Sequence, residues 1–472
     1  MLNLFFESTS ARHARRRRCR QYSNEIQVCE QRLLLSAVDV TTSPGPGGSV
    51  NVTFTGTDAN DQVLLGTHYE TGLLTAYSFN GTTFRLNGGP ETDSLTFSSL
   101  SDVTFNLNGG SDGVSIFTTS LRDLNLNLGS GNDFAFIVDA NIRDVAIQDG
   151  VDDFEQNSYT IQTFATSYHL RNIEAQFDRG SSQITVDAFT GKSIEIGKVS
   201  ISGGNVQSVG FSANADSGSQ VLITGKVQIQ NDPSYFGVAN VLLGTQQATP
   251  SEPGSVVLTK DLELNAPGGW MTISGNTSIH GKTDFVTTGF YNDRFVAESG
   301  APVFEGKVTI STGFGDDYIL LEKFDPSFPA TEFHGKVSIS TGEGNDIVNI
   351  GPAIFEGALT IDLGDSSPFG PFGADNMRLG AVDVQGKLDV TATGQAIVVI
   401  SPPATGQAHF RKDASFTLGA GGVYINSSAS NVTFDKAQVF VGQPNRIQVN
   451  YIGNVIANPA KRKLTNADLF TS

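Results

Sequence analysis

The chain has 472 residues, 52 of them glycine, with 17% charged side chains and a formal net charge of −18. A body this acidic repels polyphosphates and sulfated or uronate-rich glycans over about a Debye length, ~8–10 Å, so nucleic acid is not expected as a partner. No run of roughly 18 apolar residues occurs, which excludes a membrane-spanning helix, and cysteine is confined to Cys19 and Cys29, which leaves the body without a disulfide or a cysteine-held zinc.

In chain order, the first element is a segment over residues 1–40 that differs from everything after it. Residues 1–36 hold seven arginines against three glutamates, a net +4, so the remainder carries −22. The run "ARHARRRRCRQ" is followed by only a short apolar patch at Leu33–Leu35, Ala37 and Val38. A standard export signal has a longer apolar stretch after its basic start. An arginine run of this kind is expected to be a disordered basic arm, and a nucleic-acid-binding arm is the sharper alternative.

The stretch "CEQRLLLSA" at 29–37 resembles the L-E-x-R-x-L-L-S-A signature found near the N-terminus of many secreted or surface proteins of planctomycete bacteria. Glu30, Arg32, Leu34, Leu35, Ser36 and Ala37 match it, and Cys29 stands where the signature has Leu. The resemblance implies an extracellular or cell-envelope destination and nothing about activity.

After residue 40 no 3.6-residue apolar period persists beyond two turns. Short Val/Ile/Leu/Phe/Thr runs alternate instead with Gly, Asn, Asp and Ser, the pattern of strands joined by tight turns. Residues 41–455 are read as one repeat domain, clearest at 101–153 and 279–400, with a short tail at 456–472. "SDVTFNLNGGSD", "RDLNLNLGSGND" and "RDVAIQDGVDD" place Asp102, Asp123 and Asp144 at even intervals. Later copies read "IHGKTDFVTTGFYND", "FEGKVTISTGFGDD", "FHGKVSISTGEGND", "FEGALTIDLGD" and "VQGKLDVTATG".

Alternation assigns the faces. Val308 and Ile310 recur as Val337 and Ile339, as Leu359 and Ile361, and as Leu388 and Val390, with polar residues between them. Beyond the turn, Ile319 and Leu321 recur as Val348 and Ile350 and as Met377 and Leu379. Tyr318 with Leu320, Ile347 with Asn349, and Asn376 with Arg378 point outward. One copy cannot bury such a face, so copies must stack with like residues in ladders. The expected fold is all-β: a single elongated parallel β-solenoid, right-handed as most are, with coils of about 21–29 residues. A β-propeller needs about 40–50 residues per blade, and serial sandwiches do not explain the short period. The addition "SSPFGPF" between Ser366 and Phe372 reads as a surface loop.

The turns "GSGND" (129–133), "GFGDD" (313–317) and "GEGND" (342–346) resemble fragments of the calcium-binding nonapeptide of RTX proteins. That likeness implies Asp133, Asp316, Asp317 and Asp346 as calcium ligands, since calcium takes six to eight oxygens and neighbouring coils could converge them. Against it, no nine-residue period is present, and Gly, Asn and Asp also build tight turns on their own. No enzyme site stands out. Glycosidase carboxylates must lie roughly 5–9.5 Å apart, but aspartates occur at nearly every turn and single out no pair. None of the six histidines has a close metal spacing, and His280 and His334 share a repeat slot with Glu305 and Glu356, read as a solvated turn position. Outward Tyr318, Phe290 and Tyr291 are candidates for stacking on sugar rings. The expected function is a non-enzymatic exported surface, matrix or adhesion-like protein that meets polysaccharide or other cell-surface components. The alternatives are a carbohydrate-active β-helix enzyme and a calcium-stabilised exoprotein.

Overall fold

Strands of four residues with one apolar face set the architecture. In Val308–Ser311, Val308 and Ile310 are fully buried while Thr309 and Ser311 are half-exposed. The computed structural model describes residues 36–471 except 69–70, 149, 151–154, 233–236, 246–253, 301, 323–328, 367–373, 444–446 and 458. The basic segment up to Leu35 and most of the "SSPFGPF" addition therefore lie outside the described residues.

The repeats stack as a parallel β-solenoid. Val308 lies opposite Val337 and Ile310 opposite Ile339; the same two positions continue as Leu359 and Ile361 and as Leu388 and Val390. A second ladder pairs Ile319 with Val348 and Leu321 with Ile350, then Met377 and Leu379. A third, built from Val303–Phe304, Thr331–Phe333 and Ala353–Phe355, stacks Phe304, Phe333 and Phe355 with ring centroids 4.8 Å apart and interplanar angles of 7° and 2°. That spacing is the rise between neighbouring strands. The ladders enclose one continuous apolar core that runs from Val38 to Tyr451. Leu320, expected to face out, obeys the alternation but is only 2% exposed, and its partner Val296 is fully buried.

Coil length varies more than the repeats suggest. Asp261 and Lys282 are neighbours 21 residues apart, Asp317 and Asp346 lie 29 apart, and Thr224 and Thr259 lie 35 apart. Around 150–270 the coil often has no sharp corner: Tyr168–Ala188 and Ser193–Ala215 are each one strand that contributes to all three ladders.

The two ends differ from expectation. At the N-terminal edge the chain departs from parallel stacking. Ser36–Pro44 pairs antiparallel with Val50–Thr55, Gln62–Thr67 with Leu74–Ser78, and Leu74–Ser78 with Ser94–Phe97. These hairpins occupy a rung edge that would otherwise offer free N–H and C=O groups. At the other end, residues 456–472, expected as a tail, instead carry Arg462–Thr465 and Ala467–Thr471, both paired in the ladders. The hydrophobic pattern there is weak, and Leu464 and Phe470 are exposed.

The glycine shared by the "FEGK", "FHGK", "FEGA" and "VQGK" copies has a packing role. A Cβ on Gly306, Gly335, Gly357 or Gly386 would stand 2.1–2.4 Å from the main-chain oxygen of the glycine one coil earlier. Only glycine allows the coils to close to strand spacing at this point.

Candidate functional site

The turn aspartates sit at the corner between the first two ladders, and alternation runs straight through them. Leu321, Ile319 and Asp317 face inward; Tyr318 and Asp316 face outward. Asp133, Asp317 and Asp346 are at most 2% exposed, and Asp316 is exposed. The four residues singled out by the turn motif thus divide three to one.

Each inward carboxylate accepts the main-chain N–H of the same position one coil earlier. Gly269 donates to Asp293 (2.7 Å), Asp293 to Asp317 (2.8 Å), Asp317 to Asp346 (2.9 Å) and Asp346 to Asp375 (3.1 Å). Nearer the N-terminus, Asp61 donates to Asp112 (2.6 Å), Asp112 to Asp133 (2.7 Å) and Asp133 to Oδ1 of Asn157 (2.7 Å). The outward residue just before it bonds in the opposite direction. Asn292 accepts from the N–H of Asp316 (3.0 Å), and Asp316 accepts from the N–H of Asn345 (2.9 Å). Asn60 and Asn132 do the same for Ser111 and Gln156. A "ND" or "DD" dipeptide therefore clamps its coil to both neighbours, and supplies acceptors for N–H groups that the tight turn removes from the β-ladder.

Burial has an electrostatic consequence. It is the largest cause pushing Asp317 and Asp112 up to about 8, Asp375 to about 7, and Asp293 and Asp346 to about 6. The accepted N–H bonds pull the other way, as does the hydroxyl of Thr287, which donates to Asp293. Thr312 and Thr341 hold the matching place beside Asp317 and Asp346. For Asp317 the neighbouring carboxyls of Asp346 and Asp293 add to the rise. The corner is a column of carboxyls that hold protons well above the ordinary range.

The 21-residue aspartates lie on an outer face and are balanced there. Arg122 bridges Asp102 and Asp123, Arg143 bridges Asp123 (2.7 Å) and Asp144 (3.0 Å), and Arg171 pairs with Asp144. The slot read as solvated is only partly so: Nδ1 of His334 lies 2.7 Å from Glu305 and Nε2 lies 3.3 Å from Glu332, which raises its pKa. Among the described residues, no group of three or more His, Cys, Asp or Glu side chains is placed to hold a metal ion.

One surface feature escaped the sequence reading, and a second was read only in part, through outward Tyr318 and Ile347. The first is a groove of about 830 Å³ near the N-terminal end, lined mainly by hydroxyls such as Ser98, Thr118, Ser120 and Thr166, with Asp139, His169 and Glu195 on its walls. The other is an outward column in which Trp270, Arg294, Tyr318 and Ile347 pair in register on successive coils. Its signal was present in the sequence: Met271 and Ile273 face inward, so Trp270 must face out. Comparison with protein-family descriptions, curated proteins and solved structures found no match to this chain.

Proposed function

We propose that this chain is a non-enzymatic, exported structural protein of the cell surface or extracellular matrix, in which the solenoid carries polar faces and loops toward polysaccharide. The observation that carries the reading is the use made of the turn carboxylates. Those most suited by number and spacing to chemistry are buried and bonded to the neighbouring coil. Export rests on the Glu30–Ala37 signature.

The enzyme alternative needs an acid with a raised pKa and a second carboxylate across a groove. The aspartates with raised pKa lie inside the corner and not in the lining of the groove, where it is the Tyr168 hydroxyl whose pKa burial raises. Within the groove, Asp139 is committed: burial acts against its charge, but N–H groups of Phe164, Ala165 and Thr166 and the hydroxyl of Thr163 hold its pKa below the usual value. Glu195 faces His169 at 3.3 Å. A calcium-stabilised exoprotein is the other alternative. It is favoured by the second carboxyl oxygens, Oδ2, of Asp346 and Asp375, which are buried and find no hydrogen-bond partner of good geometry.

The test is incubation with a panel of neutral and uronate polysaccharides, followed for new reducing ends and for unsaturated products, with fractionation of native cells. No turnover and recovery in the envelope or medium are expected. Turnover of any polymer, or a cytoplasmic location, overturns the proposal.

A further inference from the structure

We infer that the outward face across the coils of Trp270, Phe290, Phe314 and Tyr318 is a docking strip for an extended, neutral, β-linked polysaccharide chain. The partner class rests on the structural role proposed above; the site itself rests on geometry.

Trp270, the one tryptophan of the chain, is 58% exposed, and Phe290 is 76% exposed. Water-facing rings of this size are costly to leave uncovered, and contiguous ones mark interaction surfaces. They are also held in order. Phe290 stacks on Phe314 at 4.7 Å with the ring planes 24° apart, and the Arg294 guanidinium stands 5.6 Å from the centre of the Tyr318 ring. Trp270, Arg294 and Tyr318 occupy one register column on three consecutive coils. Phe290 and Phe314 lie at the adjoining corner, four residues before Arg294 and Tyr318. The result is a narrow strip over three coils, in which Trp270 and Tyr318 lie two coils apart with Arg294 between them and Phe290 and Phe314 lie one coil rise apart. That rise, about 4.8 Å, is close to the length of one sugar residue in an extended chain. Sugar rings offer apolar C–H faces to aromatic planes and hydroxyls to the polar fringe.

Size and charge decide the occupant. Aromatic side chains expose at most about 150–250 Å² each, so these few rings fall near or below the roughly 800 Å² per partner that a stable protein interface needs. A linear polymer one residue wide needs no more. Anionic glycans are disfavoured by the −18 net charge and by exposed Asp316 and Glu343 beside the strip, while the nearest cation, Arg294, is engaged with Tyr318.

The sole tryptophan makes the test local. The full chain is titrated with cellohexaose, xylohexaose and laminarihexaose, with hexagalacturonate as the anionic control, while Trp270 emission is followed. A saturable change with at least one neutral oligomer and none with the anionic one is expected. Trp270→Ala and the pair Phe290→Ala/Phe314→Ala should each reduce retention on the matching insoluble polysaccharide by roughly tenfold with an unchanged melting midpoint. The absence of any saturable change across the neutral panel, or variants that bind like the parent, overturns the strip and leaves the structural role standing. Cleavage of a bound oligomer overturns the non-enzymatic role and leaves the strip standing.

Discussion

The solenoid turns the same corner in two ways. In the coils around Asp317 and Asp346, a glycine-rich turn leaves the ladder and an inward aspartate takes the stranded N–H. In Tyr168–Ala188 and Ser193–Ala215, a single strand runs past the corner, and the slot of the aspartate is filled by Ser182 and Val209, which pair with each other in register. The column can be followed from Asp61 through Asp112, Asp133 and Asn157 to Ser182, Val209, Ala239 and Gly269, and then back to aspartate at Asp293. A carboxylate appears where the backbone needs a side-chain acceptor, and it disappears where the backbone bonds itself. Asn157 shows that the requirement is for an acceptor and not for charge.

The sharpest way to break this comparison is to put a carboxylate where no turn needs one. Val209 is fully buried. Val209→Asp is expected to cost about 3–5 kcal/mol as an uncompensated buried charge, read as a lower urea midpoint. Smaller effects are expected where the slot already holds an acceptor. Asp346→Ala strands the N–H of Asp317 and should cost about 1–3 kcal/mol, whereas Asp346→Asn keeps an acceptor and should change stability by less than about 1 kcal/mol. Equal losses in the two Asp346 variants would show that charge, and not N–H capture, is what the corner requires.

Much of this was legible from the residues, and the failures have physical causes. Val308, Ile310, Ile319 and Leu321 faced the core as alternation required, and the phenylalanines of successive "FEGK" and "FHGK" copies stacked as ladder residues. The same parity places Asp317 inward, two residues before Ile319, but a residue assigned to a turn is not counted on a strand face. Burial of the corner carboxylates was therefore missed. The hairpins before residue 98 were beyond reach for another reason: local pattern marks a strand but does not say whether its partner lies one coil away or next along the chain. The three-ladder strands Tyr168–Ala188 and Ser193–Ala215 blurred the repeat because no turn separates one ladder from the next within them.

The third test separates the two kinds of corner by pH. In the folded chain Asp112 and Asp317 keep a proton to about pH 8, Asp375 to about 7, and Asp293 and Asp346 to about 6, whereas the ordinary value is 3.8. Between these limits the folded state binds more protons than the unfolded one, so stability falls as pH rises. The contribution is fully present below about pH 3.8 and is lost on passing through pH 6 to 8. Urea midpoints should thus be higher at pH 5 than at pH 8. Asp112→Asn and Asp317→Asn should each flatten that slope, and a stability that rises from pH 5 to 8 would sink the assignment. Strand-through corners have no such groups and contribute nothing to the slope.

The smallest expected effect is that of calcium, and pH 8 is the condition at which to look for it. Only there do the inward carboxyls release the protons that compete with a cation. Asp317 and Asp346 each already hold one neighbouring N–H through Oδ1, and Asp316 holds that of Asn345 on the outside. A calcium ion needs six to eight oxygens at about 2.3–2.6 Å, so it would have to draw inward-facing and outward-facing side chains of one corner to the same point. Alternation places Asp316 and Asp317 on opposite sides of the backbone. A ligand that binds only the folded state raises the melting midpoint in proportion to its occupancy. Millimolar calcium at pH 8, compared with chelator, should therefore leave the midpoint unchanged in the parent chain and in Asp346→Asn. A rise in the parent that Asp346→Asn abolishes would establish the corner as a cation site and reverse the assignment of its aspartates as hydrogen-bond acceptors.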